Sequence, residues 1–139
     1  FISVQRADRR GNGQIWGFKG TDFWKARAAK HVVLLTEELV PIEKIYENPG
    51  MTVIPAYCTD AVVHLPFNCL PTGCFGCYIG DFLSFVSLLL QRQSRAGALK
   101  WIDDWVYGPK DHFEYCDKVG WEKLDRLAKS EHKLNWILR

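Results

Sequence analysis

His31-Val32-Val33-Leu34-Leu35-Thr36-Glu37-Glu38-Leu39-Val40 is the stretch that decides the fold. Val32 to Leu35 are aliphatic or β-branched without polar alternation, the pattern of a strand covered on both faces. The run then turns abruptly polar at Thr36-Glu37-Glu38. A second stretch does the same: Phe1-Ile2-Ser3-Val4 leads into Gln5-Arg6-Ala7-Asp8-Arg9-Arg10-Gly11-Asn12. Between them, residues 21–30 have helical composition, with Thr21 or Asp22 as N-cap. Strand, helix and strand joined by a right-handed crossover is the economical arrangement. In an open parallel sheet the polar ends of such strands face the ligand crevice, so an α/β fold with its chemistry at two strand ends is expected.

Working outward, residues 14–18 are a candidate short strand. Pro41 breaks the pattern, residues 42–47 read as a short helix, and Asn48-Pro49-Gly50 is a strong turn signal. Residues 52–54 and 61–65 read as further strand pieces, each closed by a proline. From Asp81 onward the pattern is helical. Phe82, Phe85, Val86 and Leu89 recur at helical spacing, as do Trp101, Ile102, Trp105 and Val106, and then Leu124, Leu127 and Leu134. Gly97, Gly108-Pro109 and Gly120 punctuate these helices, and the stripes read as core packing rather than ligand contacts. The expected organisation is a single domain over 1–139, α/β to about residue 78 and helical from about residue 79.

Composition limits the function. At 139 residues the chain can bury a sizeable core, and a net charge of +2 indicates no dominant attraction to nucleic acid or membrane. Fourteen per cent aromatic residues, with six Trp, suggests large packed surfaces, some of them interfaces. The chain opens on Phe1 inside a strand-like run, which reads as the interior of a longer, soluble protein without a signal peptide. Five cysteines without regular spacing fit a reducing, cytoplasmic setting better than a disulfide scaffold.

Several side chains are candidates for chemistry. Glu37 and Glu38 are adjacent on a strand and point to opposite faces, so they cannot form a carboxylate dyad. One of them can face the crevice and orient a substrate; the bland alternative is hydrogen bonding at the strand exit. In the turn, Asp8 can bond backbone N–H groups while Gly11-Asn12 tolerates positive φ. Gln5 and Asn12 are amide donors suited to a carbonyl or thioester, with Arg6, Arg9 or Arg10 available for anionic groups. The arginines of the turn tip read first as a solvated loop. Cys74-Phe75-Gly76-Cys77, with Cys58, Cys69 and His64 upstream, could hold a metal, yet Cys58 and Cys69 supply no second close pair. These thiols are read as small apolar packing groups, and no metal is expected. Asp60 and His64 share one strand face, but no G-x-S-x-G, G-x-G-x-x-G or phosphate-loop motif accompanies them.

An ordered set of motifs resembles a known family. The set comprises Gln5-Arg6-Ala7-Asp8-x-x-Gly11-Asn12, Ala28-Ala29-Lys30 leading to Glu37-Glu38-Leu39-Val40, and Asn48-Pro49 before Val53-Ile54-Pro55. Val62-Val63-x-x-Pro66, Pro71-Thr72-x-Cys74-x-Gly76 and Trp101-Ile102-Asp103-Asp104-Trp105-Val106-Tyr107-Gly108 follow in order. Together they are similar to the C-terminal half of the A-subunit of family I CoA-transferases, the glutaconate CoA-transferase type. The resemblance implies a three-layer α/β/α sandwich with a mostly parallel sheet and a helical C-terminal part. It also implies a partner B-subunit, acyl-CoA and carboxylic acid substrates, coenzyme A as substrate with no permanently bound cofactor, and no nucleic-acid or membrane partner. Members move CoA by a ping-pong route through an anhydride and a glutamyl-CoA thioester. The nucleophilic Glu belongs to the B-subunit, so no catalytic residue is expected in this chain. Gln5, Asp8, Asn12 and Glu37 are carried over as the substrate-binding set. Many relatives carry His where this chain has Leu70, before Pro71-Thr72, which bears on the acyl group chosen. Ring-opening acyl-CoA hydrolases that share the fold are one alternative. A non-catalytic structural or zinc-binding module built on residues 58–77 is another.

Overall fold

The computed structural model describes the backbone of residues 1–134 and the side chains of residues 1–132. It divides into two compact units. The first holds residues 1–69 and 75–77, and the second holds residues 70–74 and those from Tyr78 onward.

The first unit is a five-stranded mixed sheet. In chain order its elements are β1 (Ile2–Asp8), β2 (Gly13–Gln14), α1 (Asp22–Ala28), β3 (Val33–Val40), α2 (Ile42–Tyr46), β4 (Thr52–Ile54) and β5 (Ala61–His64). The strands lie in the order β4-β2-β1-β3-β5. β3 pairs in parallel with both β1 and β5, while β2 runs antiparallel to β1 and to β4. Four strands therefore share one direction and β2 alone is reversed. The aliphatic run that signals β3 becomes an inner strand of this sheet, between β1 and β5, with Leu34 fully buried. Leu34 packs with Ile2, Val4, Ala7, Ile15, Ala26, Val32 and Ile54, and Cys58 packs against that cluster.

Both main strands continue through the residues whose polarity suggests a strand exit. The parallel register runs from Ile2↔Leu34 to Asp8↔Val40, so ladder hydrogen bonds absorb the polar segments of both strands. The expected strand over 14–18 shortens to Gly13–Gln14, because Ile15 N turns to Met51 O instead of extending the ladder.

The second unit contains α3 (Phe82–Gln91), α4 (Arg95–Ile102), α5 (His112–Val119) and α6 (Trp121–Leu134). A π-helical turn, Asp103–Tyr107, prolongs α4. Gly97 lies inside the first turn of α4 and does not end a helix; a Cβ there would collide with the Gln91 carbonyl. Leu124 is buried as its spacing suggests, and Cys116, on the preceding helix, is buried too, whereas Phe82 is 73% exposed and no α3 residue is fully buried. Among the described residues the α3 stripe is thus not a core stripe. Leu134, the last member of the expected stripes, has its side chain outside those described. Among the described residues, no helix is long and apolar enough to cross a membrane.

Helix starts differ in how they are held. Asp111 accepts from Glu114 N at 2.9 Å to cap α5, whereas Thr21, at the start of α1, makes no side-chain cap bond. Asp111→Ala is expected to lower stability by about 1 kcal/mol in urea titration, and Thr21→Ala by only a few tenths. Equal losses would contradict the assignment of the α5 cap.

Candidate functional site

The parallel register places the ends of β1 and β3 side by side, with Arg6 opposite Glu38 and Asp8 opposite Val40. Arg6 donates to Glu38 Oε2 at 2.8 Å, and its guanidinium lies over the Trp16 ring. Glu38 is exposed and Glu37 half-buried, consistent with opposite faces. Thr36, the fully buried residue that precedes them on β3, donates to Glu38 O.

The turn after β1 is organised around one carboxylate. Asp8 is 1% exposed, and its Oδ1 accepts from Arg10 N and Asn12 N at 2.9 and 3.0 Å. Its Oδ2 accepts from Asn12 Nδ2 at 2.7 Å. Gly11 at the apex has φ +96°, and a Cβ there would meet Thr59 Cβ at 2.8 Å, so both conformation and space require glycine. Asn12 Oδ1 accepts from Ala56 N at 3.1 Å, and Thr59 donates to Gly11 O at 2.8 Å. The turn is therefore anchored to the segment that precedes β5.

Gln5 is buried, and its Nε2 donates to the carbonyls of Trp16 and Phe75, so both amide hydrogens are engaged within the chain. Glu37 accepts from Phe67 N at 2.6 Å and from Asn68 Nδ2 at 2.7 Å, organising the turn that follows β5. Asp8 and Asn12 meet in the β1–β2 turn, Gln5 reaches Trp16 and Phe75 away from that turn, and Glu37 acts on the other side of β3. Asp60 holds Val32 N at 2.7 Å, and His64 Nε2 lies 3.2 Å from Glu37 O. None of the five cysteines is in a disulfide. Burial pushes the Cys116 thiol above its usual range, with the neighbouring Asp117 charge adding to the effect, which suits packing rather than nucleophilic use.

A cavity of about 450 Å³ opens at the paired ends of β1 and β3. Asp8, Arg9 and Arg10 line one side, and Leu39, Val40, Pro41 and Ile42 line the other. The apolar side is not singled out by the sequence, although the run does resume as Leu39-Val40 after the Glu pair. Ala56 and Thr59 leave no sequence signal, because their role depends on contacts more than forty residues away.

No family model matches the chain. The A-subunit of glutaconate CoA-transferase from Acidaminococcus fermentans is 36% identical over 128 residues, covering 91% of this chain. The crystal structure of glutaconate coenzyme A-transferase from the same organism superposes with a TM-score of 0.86 over 91% of the chain, at 33% identity. In sequence and in fold, nine-tenths of the chain is similar to the A-subunit of this CoA-transferase. An uncharacterized protein of Archaeoglobus fulgidus is 40% identical over 131 residues, 94% of this chain. The A-subunit of 3-oxoadipate CoA-transferase from Pseudomonas knackmussii is 30% identical over 118 residues, 85% of this chain. The chain spans 29%, 39% and 41% of the lengths of the Archaeoglobus, Acidaminococcus and Pseudomonas proteins, and 40% of the crystallised chain. The α/β fold expected from the two strand runs is that of the crystallised transferase.

Proposed function

We propose that the chain supplies one wall of the acyl-transfer site in an enzyme that moves CoA between carboxylic acids. The observation that carries this reading is the superposition on glutaconate CoA-transferase over 91% of the chain. In the proposed reaction a glutamate carboxylate of a partner B-subunit attacks the acyl-CoA carbonyl and expels CoA as the thiolate, giving a mixed anhydride. The thiolate then attacks the glutamyl carbonyl, forming glutamyl-CoA and releasing the donor carboxylate. The acceptor acid repeats the two steps in reverse, so one difficult exchange becomes several easier ones.

This chain contributes position rather than a nucleophile. Asp8 and Asn12 hold the turn beside the cavity, and Gln5 ties Trp16 and Phe75 to β1. Glu37 sets the turn at residues 67–68. Among the described residues Asn12 Nδ2 donates to Asp8 alone, and in this reading its second hydrogen is offered to a substrate carbonyl oxygen. Donors fixed before reaction stabilise developing negative charge without reorganisation. Within this reading residues 1–139, with both of their compact units, are a portion of the A-subunit.

The test is reconstitution. The 139-residue chain alone is expected to show no CoA transfer. A complete A-subunit containing it, mixed with its partner, is expected to transfer CoA with ping-pong kinetics and to carry CoA on a glutamate of the B-subunit. Transfer by the isolated chain, or an active pair whose glutamates never become labelled, would overturn the proposal.

A further inference from the structure

Of the four arginines in the first unit, Arg6 is paired with Glu38 and Arg27 contacts Tyr57 and the Phe23 ring. Arg9 and Arg10 have neither an ion-pair nor a hydrogen-bond partner for their guanidinium groups among the described residues. The carboxylate best placed to neutralise them is Asp8, the residue just before the pair. Its two oxygens are instead occupied by Arg10 N, Asn12 N and Asn12 Nδ2. The turn thus directs its anion inward and leaves two adjacent cations at the cavity.

Two neighbouring guanidinium groups repel each other unless an anion lies between them, and their planar forks fit carboxylate or phosphate oxygens in bidentate fashion. Opposite them, residues 39–42 offer Leu39, 37% exposed, together with Val40, Pro41 and Ile42. That wall suits an aliphatic or amide-bearing arm rather than a second charge. A volume of about 450 Å³ lies within the range of small-molecule sites and admits one end of a larger ligand.

We propose that Arg9 and Arg10, facing the apolar wall of residues 39–42, bind the anionic end of an amphiphilic substrate and fix its orientation at the ends of β1 and β3. The inference rests on the CoA-transfer reading above for its choice of ligands. The anion is an oxyanion group, either the phosphates of coenzyme A or a free carboxylate of the acid substrate. Arg9 and Arg10 are both exposed, so their replacement leaves the buried carboxylate and the sheet intact.

Calorimetric titration of the chain with four probes at low ionic strength tests this. The probes are coenzyme A, pantetheine, inorganic pyrophosphate and glutarate. The double variant Arg9→Gln/Arg10→Gln is expected to lose at least about tenfold in affinity for the charged probes that bind, with pantetheine unaffected. A loss confined to coenzyme A and pyrophosphate assigns the phosphates, and a loss confined to glutarate assigns the carboxylate. Ile42→Ser is expected to weaken coenzyme A or glutarate several-fold and to leave pyrophosphate unchanged. The proposal is overturned if no charged probe binds the unaltered chain, or if the double variant binds them all as tightly. Because the readout is binding, a reconstituted pair that fails to transfer CoA would sink the catalytic reading while leaving this subsite standing.

Discussion

Replacing Asp8 by alanine is expected to lower the stability of the chain by about 2–4 kcal/mol in urea unfolding. The carboxylate is 1% exposed and accepts three hydrogen bonds within one turn. Bonds to a charged acceptor contribute about 1.5–3 kcal/mol each, but the released donors are only partly buried and recover some of this from water. Asp8→Asn is a sharper probe. It preserves Oδ1 yet turns an amide NH2 toward Asn12 Nδ2, so donor faces donor, and a loss of about 1–2 kcal/mol is expected. If Asp8→Ala changed the stability by less than about 0.5 kcal/mol, the carboxylate would not be the organiser of the turn.

A second large effect is expected in the helical unit. Lys123 Nζ lies 2.5 Å from Asp81 Oδ2, and the Asp81 side chain is only 7% exposed. Asp81 also accepts from Ser84 N, capping α3, and Lys123 donates to Ser84 Oγ at 3.1 Å. Burial pushes the Asp81 carboxyl upward, but the bonds from Lys123 and Ser84 and the Lys123 charge outweigh it, leaving it below its ordinary 3.8. Lys123→Met leaves a buried carboxylate without its cation, and a loss of about 3 kcal/mol is expected at neutral pH.

The pH dependence has a definite sign. A carboxyl lowered by folding contributes stability that is fully present above its unfolded value of 3.8 and disappears as pH falls through the folded value. In Lys123→Met the downward pulls from lysine are gone and burial dominates, so protonation relieves the variant. The difference in stability between the two proteins should therefore shrink between about pH 7 and about pH 3, as read by urea midpoints. A gap that stays constant over that range would mean the pair is not what holds α3 against α6.

The fold is legible where one physical term dominates. Val32 to Leu35 have no polar neighbour to compete with burial, and β3 is an inner strand; Val32 and Leu34 are buried while Val33 and Leu35, on the other face, are half-buried. The strand ends mislead because polarity suggests exposure, whereas Thr36 and Asp8 are buried with their polar atoms satisfied. α3 misleads in the opposite sense. Helical spacing reveals an apolar face but not what covers it, and Phe82 and Leu83 remain mostly exposed. For the candidate site, chemical type is readable and partnership is not. Gln5 reads as a donor, but only the structure shows its two hydrogens committed to Trp16 and Phe75. Arg9 and Arg10 read as a solvated tip until Asp8 is seen to face away from them.

The ties from Asn12 to Ala56 and from Thr59 to Gly11 set an order on how the chain acquires its site. β1 and β3 can pair once residues 1–40 have formed, since their register involves nothing later. The turn between β1 and β2 is different, for two of its fastenings are 44 and 48 residues downstream. Contacts that close such long loops form late and open early. Amides of residues 10–12 should accordingly exchange with solvent faster than those of β1, although only a few residues separate them. A chain caught before residue 56 has emerged would hold the paired strands of the sheet and yet possess no finished rim around the cavity.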